Sequence, residues 1–402
     1  MLALHGGSPV RTRPFPPWPL FGAPEERRLL DALRSGYWGR LDGSQIEEFE
    51  HRFAAMHACR HGIAVANGTV ALRIALLAAG IHAGDEVIVP PYTFVSTASA
   101  VIEANAVPVF ADIDPKTFNI DPAAISAAMT GRTRAIIPVH FAGLVADMDA
   151  IRSIAADRNL VVVEDAAHAH GASFRGLPAG SLGHVACFSF QSSKNLTSGE
   201  GGVITTSDDE LAARCRSIQN CGRLDGGVWY EHHVISGNYR LGEFQGAVLN
   251  AQLERLEEQT HTRDVNGGYL ASRLGVMPGI VVQTRTATCT RHSYHLFMLM
   301  VDREFGASRD HVVTALEAEG IPCSAGYGYP LHRQPLFRNR AFGPYLSGMS
   351  NVPDYARVEC PNAERVCNRS IWLGQNLLLG TREDMDDIVT AFQKIHEHRA
   401  EL

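Results

Sequence analysis

The chain has 402 residues, of which 45% are hydrophobic and 20% charged, and its formal net charge is −7 at pH 7. That length favours two domains over one, and the composition is that of a globular, enzyme-sized protein. The acidic balance argues against a general affinity for nucleic acid or an anionic membrane surface, and no apolar run is long enough to span a bilayer.

The N-terminus lacks the basic-then-apolar pattern of a secretion signal. It carries Pro14, Pro16, Pro17 and Pro19 instead. Proline at that density forbids a helix and predicts an extended strap over residues 1–20, with Trp18 packed on the body or on a partner subunit. Glu25–Leu33 reads as an amphipathic helix, broken at Tyr37-Trp38-Gly39, and a second helix follows over Ile46–Met56. From Gly62 the pattern becomes short apolar runs alternating with helical stretches. Strands are expected at Gly62–Ala66, Glu86–Val89, Val107–Ala111, Ala135–Val139, Leu160–Val163, Cys187–Phe190 and Gly202–Thr205. Helices are expected at Val70–Ala79, Val95–Ala104, Pro122–Met129 and Met148–Asp157. Such alternation implies a mostly parallel sheet covered on both faces, with ligands at the carboxyl ends of its strands. Further on, Leu241–Arg263 reads as a long helix, Tyr294–Met300 and Pro322–Ser324 as strands, and Arg309–Glu319 and Asp384–His396 as helices. These form a smaller α+β unit. The eight cysteines include no C-x-x-C pair, so they signal neither a zinc ribbon nor a redox motif and fit the reduced thiols of a cytoplasmic protein.

The residues just after each strand carry the chemistry. Asn67-Gly68-Thr69 opens a helix, whose free N–H groups and Thr69 hydroxyl make an anion site suited to phosphate; a plain Asn N-cap is the alternative. Pro90-Pro91-Tyr92-Thr93-Phe94 stiffens a turn that can hold an aromatic ring over a flat cofactor, or simply pack in the core. Asp165 ends the run before Ala166-Ala167-His168-Ala169-His170. A carboxylate there can hold a proton on a ring nitrogen, but it can also cap a helix or join His168 and His170 at a metal, for which a third ligand at suitable spacing is missing. Lys194 lies in FSFQSSKNLTSGEGG, Phe188–Gly202, between a strand and a Gly-rich turn. A desolvated amine in that place becomes a nucleophile toward carbonyls and would hold an aldehyde cofactor as a Schiff base; an ordinary surface lysine beside a hairpin is the other reading.

Together these parts are those of pyridoxal phosphate chemistry, and here the chain resembles the DegT/DnrJ/EryC1/StrS sugar aminotransferases. The resemblance rests on NGTVAL at Asn67–Leu72, PPYTFVST at Pro90–Thr97, PVHFAGLVADM at Pro138–Met148, EDAAHAHGA at Glu164–Ala172, the Lys194 segment, and GNYRLGEFQGA at Gly237–Ala247. The N-terminal LHGGSPVRTRPFPPWP with DAAHAHG, FSFQ and TSGEGG is most similar to the secondary-metabolite branch. That branch includes scyllo-inosose and 2-deoxy-scyllo-inosose aminotransferases and lies near the aminohydroxybenzoate synthases.

The resemblance implies an α/β, type I PLP-dependent transferase fold like that of aspartate aminotransferase. A large domain with a mostly parallel seven-stranded sheet, residues 21–255, would follow the arm, and a smaller α+β domain would occupy 256–402. Lys194 would bind the cofactor aldehyde and later carry a proton. Asp165 would hold the pyridine nitrogen protonated, and His168 would lie beside the ring or support Asp165. Phe94 would cover the ring face, Gly68, Thr69 and Ser189 would bind phosphate, and Gln191 would contact cofactor or substrate. Asn238, by sequence alone a turn residue, would reach the phosphate of a neighbouring subunit, giving a homodimer with composite sites. Tyr327 and His332, in the aromatic loop Gly326–His332, and Arg240 are expected at substrate, with a packed surface loop the alternative. The implied reaction moves an amino group from L-glutamine or L-glutamate to a keto-cyclitol. A nucleotide-linked keto-sugar, with Arg223, Arg240 and Arg333 available for its diphosphate, and aminohydroxybenzoate formation are the alternatives.

Overall fold

A computed structural model describes the whole chain, Met1–Leu402. Its centre is a seven-stranded sheet of β1 (His61–Val65), β2 (Glu86–Val89), β3 (Val107–Phe110), β4 (Thr133–Ile136), β5 (Val161–Asp165), β6 (Val185–Ser189) and β7 (Gly202–Thr206). The spatial order is β1-β7-β6-β5-β4-β2-β3, and only β7 runs antiparallel to its neighbours. Side chains alternate along each strand, so the sheet feeds two cores. Ile63, Val65, Val87, Val89, Val185 and Cys187 enter one apolar cluster; Ala64, Ile88, Ala186 and Phe188 enter the other. Both faces are therefore dry, as a crossover-built parallel sheet requires.

The crossover helices start where the sequence provides caps. Asn67 accepts from the Val70 N–H at 2.9 Å and opens α3 (Gly68–Ala78), after α1 (Ala23–Ser35) and α2 (Gln45–Met56). Asp121, Asp147 and Asp208 do the same for α5 (Pro122–Ala128), α6 (Met148–Arg158) and α7 (Asp209–Gln219), while α4 (Ser96–Glu103) packs beside α3. Each side-chain oxygen satisfies an N–H that the helix start leaves free.

A second, three-stranded antiparallel sheet joins β8 (Ile280–Val282), β9 (Leu296–Val301) and β10 (Ser370–Gly374). A separate apolar cluster forms around it with α9 (Arg309–Ala318) and α11 (Arg382–Glu397), and Leu2 of the N-terminal arm is buried there. Helix α10 (Pro361–Arg369) and the preceding chain from Leu331 pack instead into one core of the large sheet. Helix α8 (Glu243–Leu274) bridges the two regions over 32 residues, about 48 Å at 1.5 Å per residue.

Two expectations change. The long helix extends eleven residues past Arg263, through Gly267-Gly268. The glycines are tolerated because Gly267 lies against the Tyr294 ring, where a Cβ would come within 2.6 Å. Pro322–Ser324 is not a strand; only Ser324 bridges to Trp372, and Pro322 has no N–H for a ladder. Helices α7 and α10 and strands β8 and β10 were not legible.

Candidate active site

A cleft of about 700 Å³ opens at the carboxyl ends of β1, β2, β5 and β6. Strand β6 ends at Ser189, the chain turns through Lys194, and Gly199 and Gly201, at positive φ, return it into β7. This turn places Lys194 in the cleft wall, half-buried. Burial draws its ammonium down to about 8, against the opposing pull of the Asp165 carboxylate. An amine so placed is deprotonated in part near neutral pH and is a competent nucleophile.

Asp165 closes β5 with its side chain on the cleft side; the adjacent Glu164 points to the opposite face. Glu164 is fully buried, 2.8 Å from His140 Nε2, and accepts from the N–H groups of Gly180, Leu182 and Gly183. It holds structure, whereas Asp165 is left for chemistry. The Thr97 hydroxyl donates to Asp165 Oδ2 at 2.7 Å, and Thr93 Oγ1 lies 2.9 Å from Thr97 Oγ1. The Ala167 N–H reaches Asp165 Oδ1 at 3.3 Å. Burial pushes the Asp165 carboxyl up, which these donors and Lys194 oppose. A cation supplied at this spot would be paired at once.

His168 is buried and its pKa lies well below the ordinary value, first by burial and then by the Lys194 charge. Its Nδ1 accepts from the Ala142 N–H at 3.3 Å, so the neutral ring carries its proton on Nε2. The His295 ring lies against it at 4.1 Å between centroids.

Across the cleft, the N-terminus of α3 presents Gly68 and Thr69, with Thr69 Oγ1 2.6 Å from Ser96 Oγ. A Cβ on Gly68 would fall 2.8 Å from the Ser189 Cβ, and one on Gly202 would fall 2.6 Å from the Asn67 carbonyl carbon. Glycine alone lets the helix start, the end of β6 and the start of β7 converge, and their N–H and hydroxyl groups form an anion cradle. Phe94, 57% exposed, lines the same cleft and offers a free aromatic face, while Tyr92 is buried in the core. The cradle, the exposed ring, the buried carboxylate and the lysine fit a pyridoxal phosphate group.

Tyr327 also lines the cleft, packed edge-on against Tyr92 and Trp372. Gln191 borders it, but its amide is engaged with Ser192 and Ser193 of its own turn. His332 is a correction: it is fully buried outside the cleft, near Phe110 and 3.2 Å from Glu364, because Pro330 and Leu331 turn the loop inward. Arg240 is another. Its guanidinium is bonded to Asn220, outside this chain's cleft, because Arg240 bridges to Val65 beside the sheet edge. Asn238 is exposed beside it and does not line the cleft that its own chain builds. Sequence reasoning missed Trp18, Ser96, His295, Gln375 and Asn376 in the wall. The Thr93/Thr97 pair, four apart, was a readable signal for the support of Asp165. Gln375 and Asn376 follow β10, a strand that the sequence did not disclose.

A helix-start anion cradle, a buried carboxylate and a half-buried lysine at the strand ends of this sheet suit the class of pyridoxal phosphate enzymes with the aspartate aminotransferase fold. The comparisons agree. The model of the DegT/DnrJ/EryC1/StrS aminotransferase family matches residues 21–393. An L-glutamine:2-deoxy-scyllo-inosose aminotransferase from Streptoalloteichus tenebrarius is 40% identical, over 100% of this chain and 99% of that protein. A 3-amino-5-hydroxybenzoate synthase from Amycolatopsis mediterranei is 38% identical, over 92% and 94%. The crystal structure of a 3-amino-5-hydroxybenzoic acid synthase superposes with a TM-score of 0.88 at 36% identity, covering 98% of this chain and 100% of that one. The chain belongs to the DegT/DnrJ/EryC1/StrS aminotransferase family.

Proposed function

We propose that this aminotransferase moves an amino group from L-glutamine or L-glutamate to an inosose-type keto-cyclitol, in aminocyclitol or antibiotic biosynthesis. The observation that carries the choice of acceptor is the full-length match to 2-deoxy-scyllo-inosose aminotransferases, and the charge of this chain's cleft accords with it. Lys194 is the only lysine or arginine in the wall that this chain builds. A nucleotide-linked sugar brings a diphosphate, and none of the three arginines considered for it lines the cleft of its own chain, although Arg223 and Arg240 flank the segment offered to a partner. Arg333 is paired with Glu364, Arg240 with Asn220, and Arg223 lies over Trp229. A neutral polyol needs no such anchor. The inosose acceptors of the full-length relatives support the same reading.

In this reading Gly68, Thr69 and Ser189 hold the cofactor phosphate, Phe94 covers the ring, and Asp165 accepts the ring N–H. The His168 Nε2–H serves an oxygen beside the ring, and Gln191 borders the site. When bound, the pyridinium supplies the electron sink for the carbanion that transamination requires. Asp165 keeps that ring protonated, because a buried carboxylate favours a neighbouring cation. Once released from the cofactor aldehyde, the Lys194 amine would take the proton from the donor's alpha carbon and return it at the cofactor carbon that had carried the aldehyde. Tyr327 orients the acceptor.

The active unit proposed is a homodimer with composite sites. Residues 224–235 expose Leu224, Val228, Trp229, Tyr230 and Ile235, with Trp229 and Tyr230 each 72% exposed. An apolar segment of this kind next to Asn238 suits a partner's cleft. The division into an arm (1–20), a large unit (21–255) and a small unit (256–402) belongs to the same proposal, with residues 331–367 of the small unit packed into a core of the large sheet. No helix is long and apolar enough to cross a membrane. The eight free cysteines support a cytoplasmic enzyme.

Purified protein incubated with glutamine and a panel of inososes, nucleotide-linked keto-sugars and cyclic amino-ketones tests the assignment. Turnover on an inosose is expected. Turnover on a nucleotide-linked sugar alone, or aromatisation of a cyclic amino-ketone, would replace it.

A further inference from the structure

Behind the cleft wall lies an arginine with no counter-ion. Arg263, at mid-length in α8, is fully buried, and no carboxylate comes within ion-pair distance of it. Its Nε and Nη2 donate to Gln375 Oε1, at 2.9 and 2.5 Å. Its Nη1 has no partner at all. The Trp18 ring lies 5.3 Å from the guanidinium. Burial alone, with nothing opposing it, draws the Arg263 pKa down to about 9. Leaving an arginine in this state is costly unless an anion comes to it in the working protein.

The arginine also decides how Gln375 faces the cleft. A guanidinium can only donate, so the carboxamide oxygen must turn toward it. The Gln375 Nε2 is then left without a protein partner, on a side chain that lines the cleft. Its two N–H groups are thus polarised by a cation directly behind them. On one side stands Asn376, whose Nδ2 donates to the Pro16 carbonyl. On the other stands Trp18, held by its indole N–H on the Ser192 carbonyl, two residues from Lys194. The charge of Arg263 also reaches His295 and His170, depressing both imidazoles after burial and nearer charges. It is therefore felt inside a cleft whose wall otherwise holds one cation, the reacting lysine.

Resting on the proposed reaction, two kinds of substrate enter: a neutral polyol ketone and an amino acid with a carboxylate. The amino acid needs a positive site other than Lys194, since its amine must replace that lysine. We propose that Gln375, locked and polarised by Arg263, binds the α-carboxylate of the amino donor and of its oxo-acid product. Gln375 is the contact residue and Arg263 a positioning residue. The arrangement suits a site that must also admit a neutral polyol ketone, because the cation is shared through an amide and does not occupy the acceptor's space.

The test uses Gln375→Glu and Gln375→Met in the cofactor-loaded enzyme. Glutamate at 375 gives Arg263 its missing counter-ion, so this variant keeps its fold while losing both the donors and the free positive charge. Calorimetric binding of 4-carbamoylbutanoate, which has the carboxylate and carboxamide of glutamine but no amine to react, is compared with binding of glutaramide. Wild type is expected to prefer the carboxylate by about tenfold or more, and Gln375→Glu to abolish the preference, with Gln375→Met between them. In single turnovers, the glutamine half-reaction should lose at least about tenfold in KM, while the ketone half-reaction keeps its KM and the cofactor band is unchanged. Equal binding of carboxylate and amide by wild type, or an unaltered glutamine KM in Gln375→Glu, overturns the assignment. Absence of a cofactor band or of any glutamine half-reaction in wild type would instead sink the aminotransferase reading itself.

Discussion

Lys194 and Asp165 are ordinary residue types made reactive by burial. The lysine's pKa, drawn to about 8, means that the fraction of free amine rises as pH climbs through that value. Capture of pyridoxal phosphate by apoprotein should therefore accelerate up to about pH 8 and level off above it, read from the growth of the lysine-linked absorbance in stopped flow. A rate flat from pH 6.5 to 9 would mean that Lys194 is not the capturing amine. Lys194→Ala should lose all turnover and retain no cofactor fixable by borohydride. Asp165→Asn should still bind cofactor through the cradle yet lose activity by at least about a hundredfold, since an amide cannot hold the ring proton. Thr97, whose hydroxyl donates to Asp165, orients that carboxylate without touching the reacting atoms.

At the scale of elements, the approach of α3 to β6 and β7 builds the anion cradle. Gly68→Ala would drive a methyl group to within 2.8 Å of the Ser189 Cβ and push the helix start off the strand end. Cofactor affinity should fall at least about tenfold, measured by fluorescence titration of apoprotein, with thermal stability lowered by about 1–3 kcal/mol. The loop over residues 178–183 is tied to β5 through Glu164. Burial raises the Glu164 pKa, but His140 and the backbone N–H groups outweigh that and hold it below its ordinary value. Its contribution to stability is thus present above the ordinary carboxylate range and is lost as pH falls through the depressed value. Glu164→Ala should cost about 3–5 kcal/mol in urea unfolding at neutral pH, because His140 and three N–H groups lose their partner. The wild type's advantage over that variant should shrink in acid.

The whole molecule raises the question of what a single chain leaves open. Asn238 and the exposed aromatic segment at 229–230 stand outside the cleft of their own chain. A dimer with composite sites predicts complementation. Lys194→Ala and Asn238→Ala proteins, each impaired alone, should recover up to about a quarter of wild-type activity when unfolded together and refolded, since half the dimers are mixed and each holds one intact site. No recovery from a mixture shown to contain mixed dimers would place Asn238 at its own chain's site or at none.

The local elements and the main chemistry were legible in the sequence. Strand ends are marked by polar residues that interrupt apolar runs, so Asn67, Asp165, Ser189 and Lys194 could be placed before any coordinates. Caps such as Asn67 and Asp147 announce their helices because a side-chain oxygen must meet the first free N–H groups. What the sequence could not disclose depends on which distant segments meet. His332 reads as a pocket imidazole, but its position is set by packing against Phe110, over two hundred residues earlier. Arg263 reads only as the last residue of a long helix, and the tertiary structure alone shows it buried against Gln375 and near Trp18. Local periodicity acts over a few residues and writes itself into composition. Burial of a single polar side chain is decided by the partner that arrives from elsewhere, and that partner leaves no trace in the neighbouring sequence.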